Sequence, residues 1–192
     1  MNEVFLELKD ISKQFGDVKV IEGINITLRS GMVYALAGEN GAGKSTLSNI
    51  ISGALRPSGG TLCYKGQDYP AFDISFAKQI GIKMVHQELQ VLPLMSVTDN
   101  IFIGEETTKG VFLDKAAMRA QAVKLMAQVG LDIDPDMNLG DLEIAGRQLV
   151  EIARALNHEA RLIILDEPTS SLTSREIEKL FAAVYRLKTQ GV

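Results

Sequence analysis

Gly38-Glu39-Asn40-Gly41-Ala42-Gly43-Lys44-Ser45-Thr46 matches the pattern G-x-x-x-x-G-K-[ST] at every fixed position. Gly38, Gly41 and Gly43 let the backbone turn with its N–H groups towards an anion, where side chains would obstruct a phosphate. Glu39, Asn40, Ala42 and Thr46 complete the same nucleotide-binding loop. Lys44 can reach the β- and γ-phosphates as a point charge, and the Ser45 hydroxyl can ligate Mg²⁺. A glycine-rich turn can match such a pattern by chance, so its flanks decide. Val33-Tyr34-Ala35-Leu36-Ala37 is a short apolar run that predicts a buried strand. Lys44 to Gly53 predicts a helix with Leu47, Ile50 and Ile51 on one face. That helix would aim its N-terminus at the phosphates.

A second stretch supplies the rest of a phosphate site. Leu162-Ile163-Ile164-Leu165-Asp166-Glu167-Pro168-Thr169 is an apolar strand that delivers Asp166 to its C-terminal end, where open α/β sheets place ligands. Asp166 can hold the Mg²⁺ shell. Glu167 points differently and can polarise a water for attack on the γ-phosphate. Adjacent carboxylates on a bare surface are ordinarily a solvated pair. The phosphate loop upstream argues for the chemical reading.

Working outward, residues 3–9 and 20–28 read as strands. In the second, Ile24, Ile26 and Leu28 alternate with Asn25 and Thr27, predicting an antiparallel pair with one wet face. Residues 60–65, after the Pro57-Ser58-Gly59-Gly60 turn, and Ile80 to His86 read as further strands. From 96 to 158 the pattern is helical, with Ser96 and Asp114 as N-caps and Gly130 as a stop. Leu149, Ile152, Ala153 and Leu156 share a helix face. Ser174 is expected to cap a last helix whose Ile177, Leu180, Phe181, Val184 and Leu187 pack into a core. Met84, Met95, Met118 and Met126 read as core filler. His86 reads as a hydrogen-bonded neutral histidine at a strand end, and His158 as a surface or helix-end residue.

Composition narrows the field. The 192 residues suffice for one domain with a core. With 46% hydrophobic and 23% charged residues the chain is an ordinary globular one. A net charge of −4 gives no global basic field for nucleic acid. The single cysteine, Cys63, excludes an internal disulfide and a multi-cysteine zinc site, and reads as an inert buried thiol. No apolar run is long enough to span a membrane.

Taken together, the phosphate loop and Asp166-Glu167-Pro168-Thr169 resemble the ATP-binding cassette family. The resemblance covers the whole chain. It implies an α/β phosphate-loop NTPase core, a mixed sheet with an antiparallel β subdomain, plus a helical subdomain. Residues 1–87 and 159–192 would form the ATP-binding core, and 88–158 the helical and signature part. It further implies that Phe15 stacks on adenine, that Gln87 in Val85-His86-Gln87-Glu88-Leu89 contacts the metal and links nucleotide to a transmembrane partner, and that Ser171-Leu172-Thr173 is a dimer-contact loop. Lys44, Gln87 and Glu167 would be the catalytic set, and Ser45, Gln87 and Asp166 the metal set. ATP and Mg²⁺ are the implied ligands. The phosphate loop, Val-His-Gln-Glu-Leu and Gln-Leu-Val-Glu-Ile-Ala-Arg-Ala-Leu together look like the ATPase subunit of bacterial ribose, galactose or xylose importers, which carry two fused cassettes. The chain would be the N-terminal portion of the first. Membrane permease subunits, a second cassette and, indirectly, an extracytoplasmic sugar-binding protein would be its partners, at the cytoplasmic face of the membrane.

Two departures stand against that pattern. The family's Leu-Ser-Gly-Gly-Gln signature is replaced by Leu142-Glu143-Ile144-Ala145-Gly146, which would bring a negative charge towards a phosphate. Both histidines, His86 and His158, precede Asp166, so the family's switch histidine is not among these residues. The chain therefore reads as C-terminally truncated, with a gap expected in the sheet beside Leu162–Leu165. Competing functions are a soluble cassette ATPase acting on ribosomes or DNA, another phosphate-loop enzyme, and a module that binds nucleotide without turnover. The first predicts basic patches, long coiled-coil insertions or zinc cysteines, and none is visible. A GTPase would carry Asn-Lys-x-Asp, and none is present.

Overall fold

Apolar residues near the N-terminus build a long antiparallel hairpin from β1 (Val4–Phe15) and β2 (Val18–Arg29). This is seen in a computed structural model that describes residues 3–86, 90–157 and 159–192. Gln87 and His158 lie outside the described residues. Leu8 pairs with Ile26 and Ile11 with Ile24, so β1 carries one extra residue between these pairs. Asp10, at φ 53, sits within that bulge. Without it, Ile11 would turn to the opposite face from Leu6 and Leu8; with it, all three are buried. β3 (Gly59–Tyr64) and β4 (Gln67–Tyr69) extend the sheet in the order β2-β1-β3-β4.

Helix α1 (Lys44–Ile51) buries Leu47, Ile50 and Ile51, as its spacing predicts. These join Phe5, Leu6, Leu8, Ile11, Leu28 and Leu62 in one apolar cluster. Burial of each large aliphatic side chain contributes roughly 1.5–3 kcal/mol. Helix α2 (Ile74–Gln79) is capped by the Asp73 carboxylate, which accepts the Phe76 N–H at 2.8 Å. Leu162 and Ile164 pack against the same cluster from β8 (Leu162–Leu165), which pairs with β5 (Ile82–Val85).

One expected strand does not form. Residues 32–39 have no regular structure, and Val33, Tyr34 and Leu36 are 49%, 42% and 46% exposed. An apolar run becomes a strand only where neighbours take its backbone groups. Among the described residues no strand lies beside it, and β8 has a neighbour on one side only.

The chain divides into two compact units. The first holds the elements above up to Met84, together with 161–166 and 190–192. The second, 85–160 and 167–189, is helical. It contains α3 (Val97–Phe102), a short hairpin of β6 (Thr108–Lys109) and β7 (Phe112–Leu113), α4 (Lys115–Val129), α5 (Ile144–Ala155) and α6 (Ser174–Thr189). Ser96 and Asp114 cap α3 and α4 by accepting the N–H groups of Asp99 and Ala117, and Gly130 ends α4 in the left-handed conformation. A Cβ on Gly130 would overlap the Arg186 guanidinium, so Gly fits on both counts.

The cap of α6 is Thr173, not Ser174. Thr173 and Glu176 form a reciprocal box in which the Glu176 carboxylate accepts from the Thr173 N–H at 2.8 Å and hydroxyl at 2.7 Å. Leu180, Ala183 and Leu187 form the buried face of α6. Phe181 is half exposed, because the buried stripe runs through Ala183 on its other side. Met118 and Met126 are core residues, whereas Met84 and Met95 are only half-buried.

Candidate functional site

The phosphate loop owes its shape to Gly43, the N-cap of α1, at φ 87 and ψ 10. A Cβ there would overlap Ile21 Cγ2 and come within 3.1 Å of the Val20 carbonyl oxygen. Both the backbone angle and the close approach of β2 therefore require glycine. Gly41 repeats the left-handed conformation at φ 85. The loop closes through the Ala42 N–H to the Glu39 carbonyl at 3.1 Å. The first N–H groups of α1 have no acceptor within the helix by construction, and they carry its positive dipole end.

Lys44 folds over this loop, donating from Nζ to the carbonyls of Gly38 at 2.9 Å and Glu39 at 3.0 Å. The exposed ammonium is thus held at the mouth of the loop by two carbonyls that a phosphate can replace. Gly38 to Ala42 are exposed as well. Thr46 continues α1.

Ser45 and Asp166, 121 positions apart in sequence, meet across the same unit. The Ser45 hydroxyl donates to Asp166 Oδ1 at 3.2 Å. One hydroxyl and one carboxylate oxygen side by side beside a phosphate loop are the hard oxygen donors that Mg²⁺ takes, so the residues present fit that ion. Glu167 follows at φ 44, an unusual angle for a residue with a Cβ. Its carbonyl accepts the N–H and hydroxyl of Ser170, closing a tight turn. A strained backbone at a charged residue is common in functional sites.

Phe15 ends β1 opposite Val18, across the Gly16-Asp17 turn. It is 49% exposed, so it is not core packing, and Lys13 Nζ lies 4.9 Å from its ring centre. Cys63 is buried; its hydrogen bond with Asp68, and then burial, hold the thiol above its ordinary range. Asp68 itself is held low by the Lys9 ammonium at 2.8 Å.

In the helical unit, Glu143 is the N-cap residue of α5, yet its side chain makes no cap hydrogen bond. Its carboxylate lies 3.5 Å from Lys179 Nζ on α6. The Glu176 carboxylate is held below its ordinary range, first by the Thr173 hydroxyl and N–H and further by the Ala145 N–H in the first turn of α5. Sequence reading missed Glu176 and also Glu151, a buried carboxyl in α5. Glu151 had a signal, since it sits inside the apolar face formed by Leu149, Val150, Ile152 and Ala153. Glu176 had the three-residue spacing of a capping box after Thr173.

A sheet-and-helix core with this loop defines a phosphate-loop nucleotide-binding cassette. Residues 21–170 match the ABC transporter family, and the chain belongs to that family. A putative ribose/galactose/methyl galactoside import ATP-binding protein of Burkholderia cenocepacia is 44% identical over 191 residues, covering 100% of this chain and 37% of that protein. A ribose import ATP-binding protein of Corynebacterium glutamicum is 44% identical over 187 residues, covering 97% of this chain and 36% of that protein. The chain thus spans a little over a third of the length of the curated relatives it matches. Among solved structures, the ADP conformation of an ATP-binding cassette of an ABC transporter superposes with a TM-score of 0.87 at 29% identity, covering 99% of this chain and 79% of that one. A nucleotide-free ATP-binding cassette from an ABC transporter gives 0.86 at 28% identity, with the same coverage. Among the described residues no helix is long and apolar enough to cross a membrane.

Proposed function

We propose that this chain is the ATP-binding and ATP-hydrolysing part of an importer subunit that drives sugar uptake through a separate membrane permease. The observation that carries the reading is the hydrogen bond between Ser45 and Asp166, which joins the loop and the strand end at one point. Residues Gly38 to Thr46 wrap the phosphates, and Phe15 offers an aromatic face to the base. Lys44 exchanges its two carbonyl partners for the β- and γ-phosphates. Ser45, Asp166 and Gln87 would hold Mg²⁺, which neutralises charge on the phosphates when bound. Glu167 takes the proton of the attacking water, and Gln87 orients that water. The partners are permease subunits, a second cassette and, indirectly, an extracytoplasmic sugar-binding protein; nucleic acid is not one. The site of action is the cytoplasmic face of the membrane, and the 44% identity with sugar-import relatives over 97% to 100% of this chain supports a sugar cargo.

The test is Lys44→Ala in the full-length protein assembled with its permease. Loss of one cation facing two phosphates is expected to weaken ATP binding about tenfold or more, equivalent to ~1.4 kcal/mol or above. ATP-dependent sugar uptake into vesicles should fall with it. Wild-type ATP turnover in that variant would sink the assignment.

A further inference from the structure

Lys13 stands near the end of β1, where a lysine ordinarily lays its stem along the surface and leaves its ammonium in water. Here the ammonium turns back onto the chain. Nζ donates to the Arg56 carbonyl at 2.8 Å and lies over the Phe15 ring, 4.9 Å from its centre. That distance is inside the ~6 Å reach of a cation–π contact. One group thus joins the aromatic side chain two residues on to the backbone of the segment that follows α1.

Two further ties fix the same stretch. The Ser58 N–H donates to the Ser12 carbonyl at 2.8 Å, and the Ser58 hydroxyl accepts the Gln14 N–H at 3.1 Å. Ser12, Lys13 and Gln14 are therefore each bound to residues 56–58. Gln14 Nε2 also donates to the Gly16 carbonyl at 2.7 Å, closing the turn beyond Phe15. The phosphate loop adjoins this end of the hairpin. Lys13 pairs with Ile21 across β1 and β2, and Gly43 abuts Val20 and Ile21. A nucleotide with its phosphates on the loop can thus bring its base to the end of the hairpin. Phe15 is 49% exposed, so the ammonium covers one side of a ring that is otherwise half open. An exposed aromatic side chain with no such hold would have to be ordered when a base stacks on it, at a cost in affinity.

We propose that Lys13 is a positioning residue for the base: anchored on the Arg56 carbonyl, it holds the Phe15 ring in the orientation that stacks on adenine. The proposal rests on the reading of Phe15 as the base platform. Lys13 is not asked to touch base or phosphate; it acts through the ring. A brace of this kind serves the base end of the nucleotide and contributes nothing to a ligand that is all phosphate. Arginine can replace it, because a guanidinium keeps the charge, the donors and the contact with the ring. Methionine keeps a stem of similar length and loses both contacts.

The experiment compares Lys13→Met, Lys13→Arg, Phe15→Leu and the double variant of Lys13→Met with Phe15→Leu, all in the full-length protein. Labelling of residues 1–192 by a photoreactive ATP analogue, held far below its own Kd, reports this site alone. Competition by ATP and by inorganic tripolyphosphate, each with Mg²⁺, then gives two Kd values per variant. Lys13→Met should raise the Kd of ATP about three- to tenfold and leave that of tripolyphosphate within about twofold. Lys13→Arg should bind both within about twofold of the wild type. The double variant should bind ATP no more weakly than Phe15→Leu alone, as expected of groups acting in series. Equal weakening of ATP and tripolyphosphate by Lys13→Met would show a general effect of charge or of folding, and would overturn the proposal. Failure of Lys13→Arg to keep ATP affinity would do the same, as would a double variant clearly weaker than Phe15→Leu. Wild-type ATP affinity in Phe15→Leu would overturn the reading of Phe15 and the proposal with it. An ATP Kd raised less than threefold by Lys13→Met, beside a Phe15→Leu that loses ATP and keeps tripolyphosphate, would overturn the brace alone.

Discussion

Neighbouring residues Asp166 and Glu167 are set apart by one backbone angle. Asp166 leaves β8 and reaches the Ser45 hydroxyl at 3.2 Å, while Glu167 turns through φ 44. On the proposed reading Glu167 accepts a proton and Asp166 stays with a cation, and those two roles call for different surroundings. Glu167→Gln keeps the size and the backbone angle and removes only the charge. In the full-length protein it should bind ATP as before and hydrolyse it at least about a hundredfold more slowly. Retained binding with near-normal turnover would move the base elsewhere. Glu151 shows the opposite environment. Burial raises its carboxyl above the ordinary glutamate range, against the lowering pull of the Gln90 N–H and, more weakly, of Arg154 and His86. The folded chain therefore holds this proton more tightly than the unfolded chain. Its stabilising share is complete below the ordinary glutamate pKa and is lost as pH rises through the raised one. Urea unfolding of the wild type and of Glu151→Gln, which does not titrate, should show the wild type losing ground as pH rises from the acid range. A wild type that gained stability relative to Glu151→Gln as pH rose would contradict the assigned shift.

The elements that matter most are α5 and α6, because carboxylates of the chain itself lie at both of their N-termini. The start of α5 has two carboxylates near it, Glu143 at the cap position beside Lys179 and Glu176, whose carboxyl the Ala145 N–H helps to hold low. A helix N-terminus is a ready anion site, and here the anions are the protein's own. If α5 completes a nucleotide site in a second cassette, as the resemblance implies, Glu143 would repel the phosphate it meets. Glu143→Ser should then raise ATP turnover of the full-length protein several-fold by removing a like charge. Unchanged or lower turnover would mean that α5 never faces nucleotide. Most of this was legible at the level of elements: Ser96, Asp114 and Gly130 cap and stop their helices because caps are local chemistry. The partners Glu176–Ala145 and Glu151–Gln90 were not, because they join segments whose proximity only packing decides. The one-residue error at Thr173 came from preferring the serine and overlooking the glutamate three residues beyond the threonine.

At the scale of the molecule, the same distinction explains what failed. The phosphate loop could be read because its glycines carry their conformation with them. Val33–Ala37 could not, because an apolar run says nothing about who will pair with it. The result is a core with two open flanks: residues 33–37 without a strand partner and β8 paired only with β5 among the described residues. Unsatisfied backbone groups cost about 1–3 kcal/mol each if they are buried, against a total stability of about 5–15 kcal/mol for a domain. Exposed instead, they form edges that recruit other strands, and Val33, Tyr34 and Leu36 add apolar surface beside them. Residues 1–192 prepared alone should therefore self-associate with rising concentration, unfold at lower urea than the same residues within the full-length protein, and show no steady-state ATP turnover. Sedimentation velocity over a concentration series, urea titration and a turnover assay test this together. A monomeric, cooperatively folding and hydrolytically active 1–192 chain would mean that the flanks are closed and that open edges do not govern its association.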